Sequence, residues 1–164
     1  MESSTVTLRD GRSVSVAPQR ASDREETARL IATSGDARAV LAELASARSG
    51  VFVARAASDD KPIVACVLWR AANEPQAGGE LAGYVTPDYR GAGLGTLLVR
   101  RAAEDAVAHG LRELTVELYP GGEATAEMLR DLGLSARWLI AYPDSRVTLE
   151  LGRPRPGWST PAPS

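Results

Sequence analysis

The sequence is poor in cysteine, histidine and lysine, with a single residue of each: Cys66, His109 and Lys61. A single cysteine excludes an internal disulfide and fits a reducing compartment, so we expect a cytoplasmic protein. One histidine and one cysteine are too few for a protein-built zinc site, so we expect no metal. Cys66 lies in an apolar run, which indicates a buried small side chain rather than a nucleophile.

Long apolar runs and an excess of charge are also missing. No run of about 18 apolar residues is present, and residues 1–4 lack the basic and apolar regions of a signal peptide. The net charge of −2 gives no basic footprint for nucleic acid. The 164 residues fit one globular domain with a proper core. We place that domain at residues 1–152 and a disordered, Pro/Ser-rich tail at residues 153–164.

The hydrophobic patterns of the chain alternate between the periods of strands and helices, which predicts an α+β fold. The predicted order is two strands, two helices, three strands, one helix, one strand, one helix and two strands. The predicted strands cover residues 5–8, 13–16, 51–55, 63–69, 80–85, 114–118, 136–142 and 146–151, and the predicted helices cover residues 24–33, 37–46, 94–109 and 123–132.

The most informative stretch is residues 84–96, YVTPDYRGAGLGT, where an apolar strand ends and an amphipathic helix begins. Three alternating glycines let the backbone approach an anion closely, because no Cβ stands in the way. A helix N-terminus adds unpaired N–H groups and the positive end of the helix dipole. The stretch therefore predicts a strand, a phosphate-binding loop and a helix. A turn without a ligand is the plain alternative, but it needs fewer glycines.

Two common phosphate-binding motifs do not match this stretch. A P-loop needs a Lys-Ser/Thr pair, and Lys61 lies elsewhere. The dinucleotide motif GxGxxG needs an acidic residue about 20 residues further on, and none is well placed. The pattern that matches is Arg/Gln-x-x-Gly-x-Gly/Ala, at Arg90, Gly93 and Gly95. With this pattern the sequence resembles the GNAT family of acetyl-CoA-dependent N-acyltransferases, over roughly residues 5–151.

The resemblance implies a mixed α/β fold with a central, mostly antiparallel, twisted sheet of about seven strands and about four helices. Residues 7–12 and 80–82 look most like the bacterial protein-lysine acetyltransferase branch. The resemblance implies acetyl-CoA as cofactor and an amine acceptor, either a small molecule or a protein lysine. We expect neither nucleic acid nor a membrane as partner, and a homodimer through an exposed C-terminal strand is one option.

The resemblance also implies which residues contact acetyl-CoA. The main chain of Tyr84 and Val85 would meet the pantetheine arm. The pyrophosphate would be surrounded by the residues of the glycine loop and the first helical turn, which are Arg90, Gly91, Ala92, Gly93, Leu94, Gly95 and Thr96.

A glutamate acts as general base in the resembled branch, and the matching residue is Glu80, at the start of the strand before the glycine loop. A solvated carboxylate at a strand end is the plain alternative. Glu74, in the preceding loop, is a second candidate base, and Glu117 is expected to face solvent.

Two polar groups that many GNAT enzymes carry are absent. The position of the tyrosine that protonates the leaving thiolate falls at Leu129, and the position of an asparagine falls at Gly122. Tyr119 and Tyr142 are alternatives for the acid, although each fits the edge of the core better. Two functions therefore stay open: an N-acetyltransferase with Glu80 as base, and a non-catalytic acyl-CoA-binding sensor or interaction module. A nucleotide-binding domain is the weakest reading.

Overall fold

The computed structural model of the protein describes residues 3–32, 49–58, 60–71, 78–118, 123–139 and 145–154. The described strands and helices follow the predicted order. The strands are β1 (Ser4–Thr7), β2 (Ser13–Pro18), β3 (Ser49–Ala56), β4 (Ile63–Ala71), β5 (Gly78–Val85), β6 (Glu113–Leu118), β7 (Leu134–Leu139) and β8 (Ser145–Pro154), and the helices are α1 (Arg24–Ala32), α2 (Leu94–Ala108) and α3 (Glu123–Asp131). One-turn 3-10 segments cover Ala21–Asp23 and Pro87–Tyr89.

Some predictions fall outside the described residues. These are the helix at 37–46, the tail beyond residue 154, and the residues Glu74, Tyr119, Gly122 and Tyr142. Strand β8 runs to Pro154, two residues past the predicted end of the domain at residue 152.

All eight strands form one sheet in the order β1-β2-β3-β4-β5-β6-β8-β7. Every neighbouring pair is antiparallel except β5 and β6, which are parallel. The mixed, mostly antiparallel fold is as predicted. All eight strands predicted from the sequence are present in the sheet, which the family resemblance gave as about seven, and the hairpins at both ends of the chain belong to it. None of the helices in the described residues is long and apolar enough to span a membrane.

Helix α2 forms the main core against one face of the sheet. Its buried residues Leu94, Leu98, Ala102 and Ala106 recur every four positions, which is the spacing of one helix face. The indole N–H of buried Trp69 donates to Asp105 Oδ2 at 2.7 Å, which ties β4 to this helix. A smaller core lies on the opposite face, where Leu30 of α1 and Tyr84 of β5 pack against three buried residues, Val53, Ile63 and Cys66.

An ion network holds the start of α1 against β3 and β4. Arg55 of β3 contacts Asp23 at 2.5 Å and Glu26 at 3.2 Å, and Glu26 also accepts the N–H of Ile63 at 2.7 Å. Burial alone would raise the pKa of Asp23, but the backbone N–H of Arg20 and the guanidinium of Arg55 stabilise the carboxylate more strongly and lower that pKa. The pair therefore stabilises the fold only while Asp23 is ionised.

We predict that Asp23→Asn lowers the free energy of unfolding by about 1–3 kcal/mol at pH 7, because Arg55 loses its charged partner. The folded-state pKa of Asp23 lies below its unfolded value. The contribution of the Asp23–Arg55 pair to the free energy of unfolding is thus complete above about pH 4, and it is lost as the pH falls through the folded-state pKa of Asp23. Urea unfolding at pH 7 and at about pH 3 measures both effects.

Glu25→Gln is the matched control, because Glu25 is exposed on the same helix and lies 3.9 Å from Arg29. Its effect should stay within about 0.5 kcal/mol. Equal losses for the two variants would contradict the role given to Asp23.

Candidate functional site

Strands β5 and β6 separate part of the way along the sheet. Their parallel register covers only Gly78–Glu80 of β5, which lie beside Glu113–Thr115 of β6. Beyond this point β6 continues along β8, while β5 continues along β4 to Val85. In the described part of the chain, Leu81–Val85 therefore has a strand on one side only. We call the gap between these residues and β6 the wedge.

The hydrogen-bond phase of β5 decides which main-chain groups line the wedge. The N–H of Thr86 donates to the carbonyl of Val64 at 2.9 Å. Hydrogen-bonded positions alternate in an antiparallel pair, so Tyr84 also directs its N–H and C=O toward β4. The groups of Leu81, Gly83 and Val85 point the other way, into the wedge. From the sequence, the main chains of Tyr84 and Val85 are expected to meet the ligand; in the structure the Tyr84 groups are directed to β4, and those of Gly83 and Val85 are directed away from it.

The glycine loop joins the end of β5 to α2. Gly91 and Gly93 have positive φ angles of 80° and 90°, which side-chain-bearing residues adopt at a cost. Gly93 is the N-cap of α2 and offers no side chain to cap it, and the first turn contains no acidic residue. The first internal bond joins the N–H of Leu97 to the carbonyl of Gly93 at 3.2 Å. The preceding N–H groups, those of residues 93–96, therefore have no acceptor within the helix and can bind an anion.

The first turn of α2 also borders the wedge and α3. A Cβ added to Gly95 would lie 3.9 Å from Val85 and 3.9 Å from Met128, which is ordinary van der Waals contact. The anion-binding turn, the open edge of β5 and α3 thus meet at one place. Such an arrangement can bind a ligand that has an anionic group and an extended, amide-bearing chain.

Arg90 fastens the loop to the end of β5. Its Nε donates to the carbonyl of Val85 at 2.9 Å, and its guanidinium carbon lies 5.5 Å from the centre of the Tyr84 ring. Across the loop, the backbone N–H of Arg9 donates to the carbonyl of Ala92 at 3.3 Å. Arg9 lies in the stretch 7–12 that carries part of the family resemblance, but it was not among the predicted site residues, because no local pattern signals its contact with the loop.

The candidate base lies at the point where the strands separate. Glu80 is paired in register with Arg70 of β4 and forms an ion pair with it. Leu81 belongs to the core beneath α2, so Glu80 projects from the opposite face of the sheet, as Tyr84 does. Its side chain is exposed, and five residues of strand, about 17 Å, separate it from Val85. The glycine loop and Glu80 therefore mark the two ends of the wedge.

The Leu129 position provides no general acid, and Cys66 provides no reactive nucleophile. Leu129 is 2% exposed and lies in the main core, so this position does not present a polar group to the wedge. Burial raises the pKa of the Cys66 thiol to about 12, with a small opposing contribution from the Tyr84 backbone, so the reactive thiolate is rare at neutral pH. Tyr119, Tyr142, Glu74 and the side chain of Glu117 are not among the described parts of the structure.

Comparisons with protein families and solved structures address the family and the fold. The model of the acetyltransferase (GNAT) family matches residues 19–134. The GNAT domain of S. lividans PAT has a TM-score of 0.72 at 17% identity, over 91% of this chain and 97% of that chain. A phosphinothricin acetyltransferase from Sinorhizobium meliloti, in complex with AcCoA, has a TM-score of 0.67 at 14% identity, over 88% and 94% of the two chains.

A third similar structure belongs to a longer protein. The cAMP-binding acyltransferase from Mycobacterium smegmatis has a TM-score of 0.66 at 20% identity, and the match covers 90% of this chain but 47% of that one. This chain thus spans about half the length of that protein. No curated protein matches the sequence significantly. At such low identities, the likeness to solved structures shows the fold.

We predict that Gly93→Ala lowers the free energy of unfolding by about 1–2 kcal/mol, because alanine is strained at a φ of 90°. Gly95→Ala is the matched control, since its Cβ meets nothing closer than 3.9 Å and alanine favours the helix. Chemical denaturation of both variants measures the difference. A Gly93→Ala protein as stable as Gly95→Ala would contradict the conformation of the loop.

Proposed function

The chain belongs to the GNAT family of acetyltransferases, and we propose that it moves an acetyl group from acetyl-CoA to a primary amine, either a protein lysine or a small amine. The observation that carries this proposal is that the wedge opens onto the anion-binding turn of α2. Acetyl-CoA supplies an activated thioester, and it combines an anionic diphosphate with an extended arm that contains amides. The single buried Cys66 suits the reducing cytoplasm, where we place the protein.

The cofactor-binding residues follow from the directions of the main-chain groups. In our proposal, the N–H groups of residues 93–96 bind the diphosphate, with Gly91 and Ala92 beside it. The main-chain groups of Gly83 and the N–H of Val85 pair with the amides of the arm, much as a neighbouring strand would, since the Val85 carbonyl already accepts from Arg90. The absence of a carboxylate from the first turn of α2 supports this assignment, because no acidic side chain competes for these N–H groups.

We assign the general base to Glu80. An ammonium group must lose a proton before its nitrogen can attack a thioester, and a carboxylate can accept that proton directly or through a water molecule. The ion pair with Arg70 fixes the orientation of the Glu80 carboxylate. Its position where β5 and β6 separate leaves the acceptor amine to approach from the face of the sheet that carries α1.

One observation favours the second function, an acyl-CoA-binding sensor or interaction module without turnover. Leu129 is buried and apolar where many family members place the acidic tyrosine. A panel of small amines and lysine peptides, assayed by release of the CoA thiol, separates the two functions. Thiol release above the hydrolysis rate supports the transferase, whereas tight acetyl-CoA binding without release for any acceptor supports the module.

We predict that Gly95→Glu abolishes acetyl-CoA binding, because the side chain fills the anion site with bulk and negative charge. The variant should fold, since an acidic residue in the first turn of a helix is favourable. Calorimetric titration with acetyl-CoA measures the loss, with ATP and NAD as ligand controls and Gly95→Ala as the protein control. Wild-type affinity in a folded Gly95→Glu protein would place the cofactor elsewhere.

We predict that Glu80→Gln lowers kcat about a hundred-fold or more and leaves acetyl-CoA affinity within about two-fold of the wild type. Stopped-flow thiol release gives the rate, and calorimetry gives the affinity.

Glu113→Gln is the matched control for Glu80→Gln, since Glu113 is a glutamate on the adjacent strand that also pairs with an arginine, Arg137, at 3.0 Å. The control removes the same charge from the same sheet, and it should keep the wild-type rate. A Glu80→Gln enzyme that is as fast as the control would exclude Glu80 as the base.

A further inference from the structure

The turn between β1 and β2 lies against the glycine loop. Besides the bond from the Arg9 N–H to Ala92, the Nη2 of Arg12 donates to the carbonyl of Asp88 at 2.7 Å. The Arg12 guanidinium also lies 3.9 Å from the centre of the Tyr89 ring. Residues from the start of the chain therefore form one wall of the candidate cofactor site.

The side chain of Arg9 lies at the N-terminus of α2. A Cβ added to Gly93 would lie 3.3 Å from the Nε of Arg9 and 3.6 Å from its Nη2. Arg9 is exposed, and no carboxylate of the described residues forms an ion pair with it. Its guanidinium is thus positioned beside the N-cap of α2 without a negative partner in the described structure.

The other two arginines of this region are already bound by the protein. Arg12 donates to Asp10 from Nε at 2.8 Å and from Nη2 at 2.6 Å, and these bonds lower the pKa of Asp10 and keep it charged. Arg90 donates from Nε to the carbonyl of Val85. Among the described residues of this wall, Arg9 is therefore the arginine whose side chain makes no such hydrogen bond to a carboxylate or a carbonyl.

This placement is electrostatically unfavourable in the absence of a ligand. The N-terminus of α2 is the positive end of the helix dipole, and a cation beside it is repelled. No acidic residue of the first turn compensates. An anion between the guanidinium and the N–H groups of residues 93–96 would be attracted by both, so the arrangement becomes favourable when a phosphate is bound.

We propose that Arg9 is a side-chain ligand of the diphosphate of acyl-CoA, so that the β1–β2 turn completes the phosphate site. The inference rests on the proposed function, since it assigns a further residue to the same cofactor. Arg12 acts as a positioning residue, because its contacts with Asp88 and Tyr89 hold the turn against the loop.

Calorimetric titration with CoA and with dephospho-CoA tests the role of Arg9. Dephospho-CoA keeps the diphosphate and lacks the ribose 3′-phosphate. We expect Arg9→Ala to weaken the binding of both ligands about ten-fold, because a charge-assisted hydrogen bond is lost. Arg9→Lys should fall between Arg9→Ala and the wild type, because lysine keeps the charge but not the fork of donors.

Arg100→Ala is the control, since it removes the same charge from an exposed position of α2, about 9 Å along the helix from Leu94. It should change both affinities less than two-fold. If Arg9→Ala weakens CoA alone, Arg9 contacts the 3′-phosphate and the diphosphate assignment is wrong. If Arg9→Ala binds both ligands as the wild type does, the inference fails although the proposed function stands. A wild-type protein that binds neither ligand would refute the proposed function itself.

Thermal unfolding separates a ligand-binding role from a structural one. Without ligand, Arg9→Ala should melt at the wild-type temperature or above it, because a repelled cation has been removed and the backbone bond to Ala92 is kept. With saturating CoA, the rise in melting temperature should be smaller than that of the wild type. A lower melting temperature without ligand, together with an unchanged rise, would show that Arg9 only supports the fold.

Discussion

The separation of β5 from β6 after Glu80 is the constraint on which the rest of the site depends. Strand β5 is held along its length by β4, and β6 is held by β8, so both strands stay ordered where they no longer pair with each other. Main-chain groups in the interior of a sheet need partners. Those of Gly83 and the N–H of Val85 are directed to the wedge, where an extended ligand can bind them, while the Val85 carbonyl accepts from Arg90. The fold thus creates a binding edge in the middle of a sheet rather than at its exposed rim.

Some of the charged groups around this edge pair with one another, whereas others have no charged partner and can attract a ligand. Asp23 and Glu26 both pair with Arg55 beside α1, and Asp10 neutralises Arg12 in the β1–β2 turn. The N-terminus of α2 has no such compensation, since its first turn contains no acid. Positive potential therefore collects at the glycine loop, and the side chain of Arg9 adds to it. A phosphate is the chemical group that this potential attracts.

The half of the site that holds the cofactor is better defined than the half that performs the chemistry. Both functions proposed above use the loop and the wedge to bind an acyl-CoA. Transfer needs in addition a group that takes the proton of the amine, and Glu80 has the position and the charge for that task. If the proposed transfer takes place, the buried Leu129 cannot return a proton to the thiolate, and another group or water has that role.

The sequence by itself determined the order of strands and helices, the glycine loop and the family, because each depends on residues that are neighbours in the chain. Hydrophobic periodicity and the Arg90–Gly95 pattern are local properties, and they were enough. Only the tertiary structure decided that Arg9 lies beside Gly93, that Glu80 pairs with Arg70, and that Tyr84 directs its main chain to β4 while Gly83 faces the wedge. These facts depend on strand register and on contacts between distant segments, such as that of Arg12 with Asp88, 76 positions apart. No local pattern encodes such contacts, because they arise when the sheet brings separate segments together.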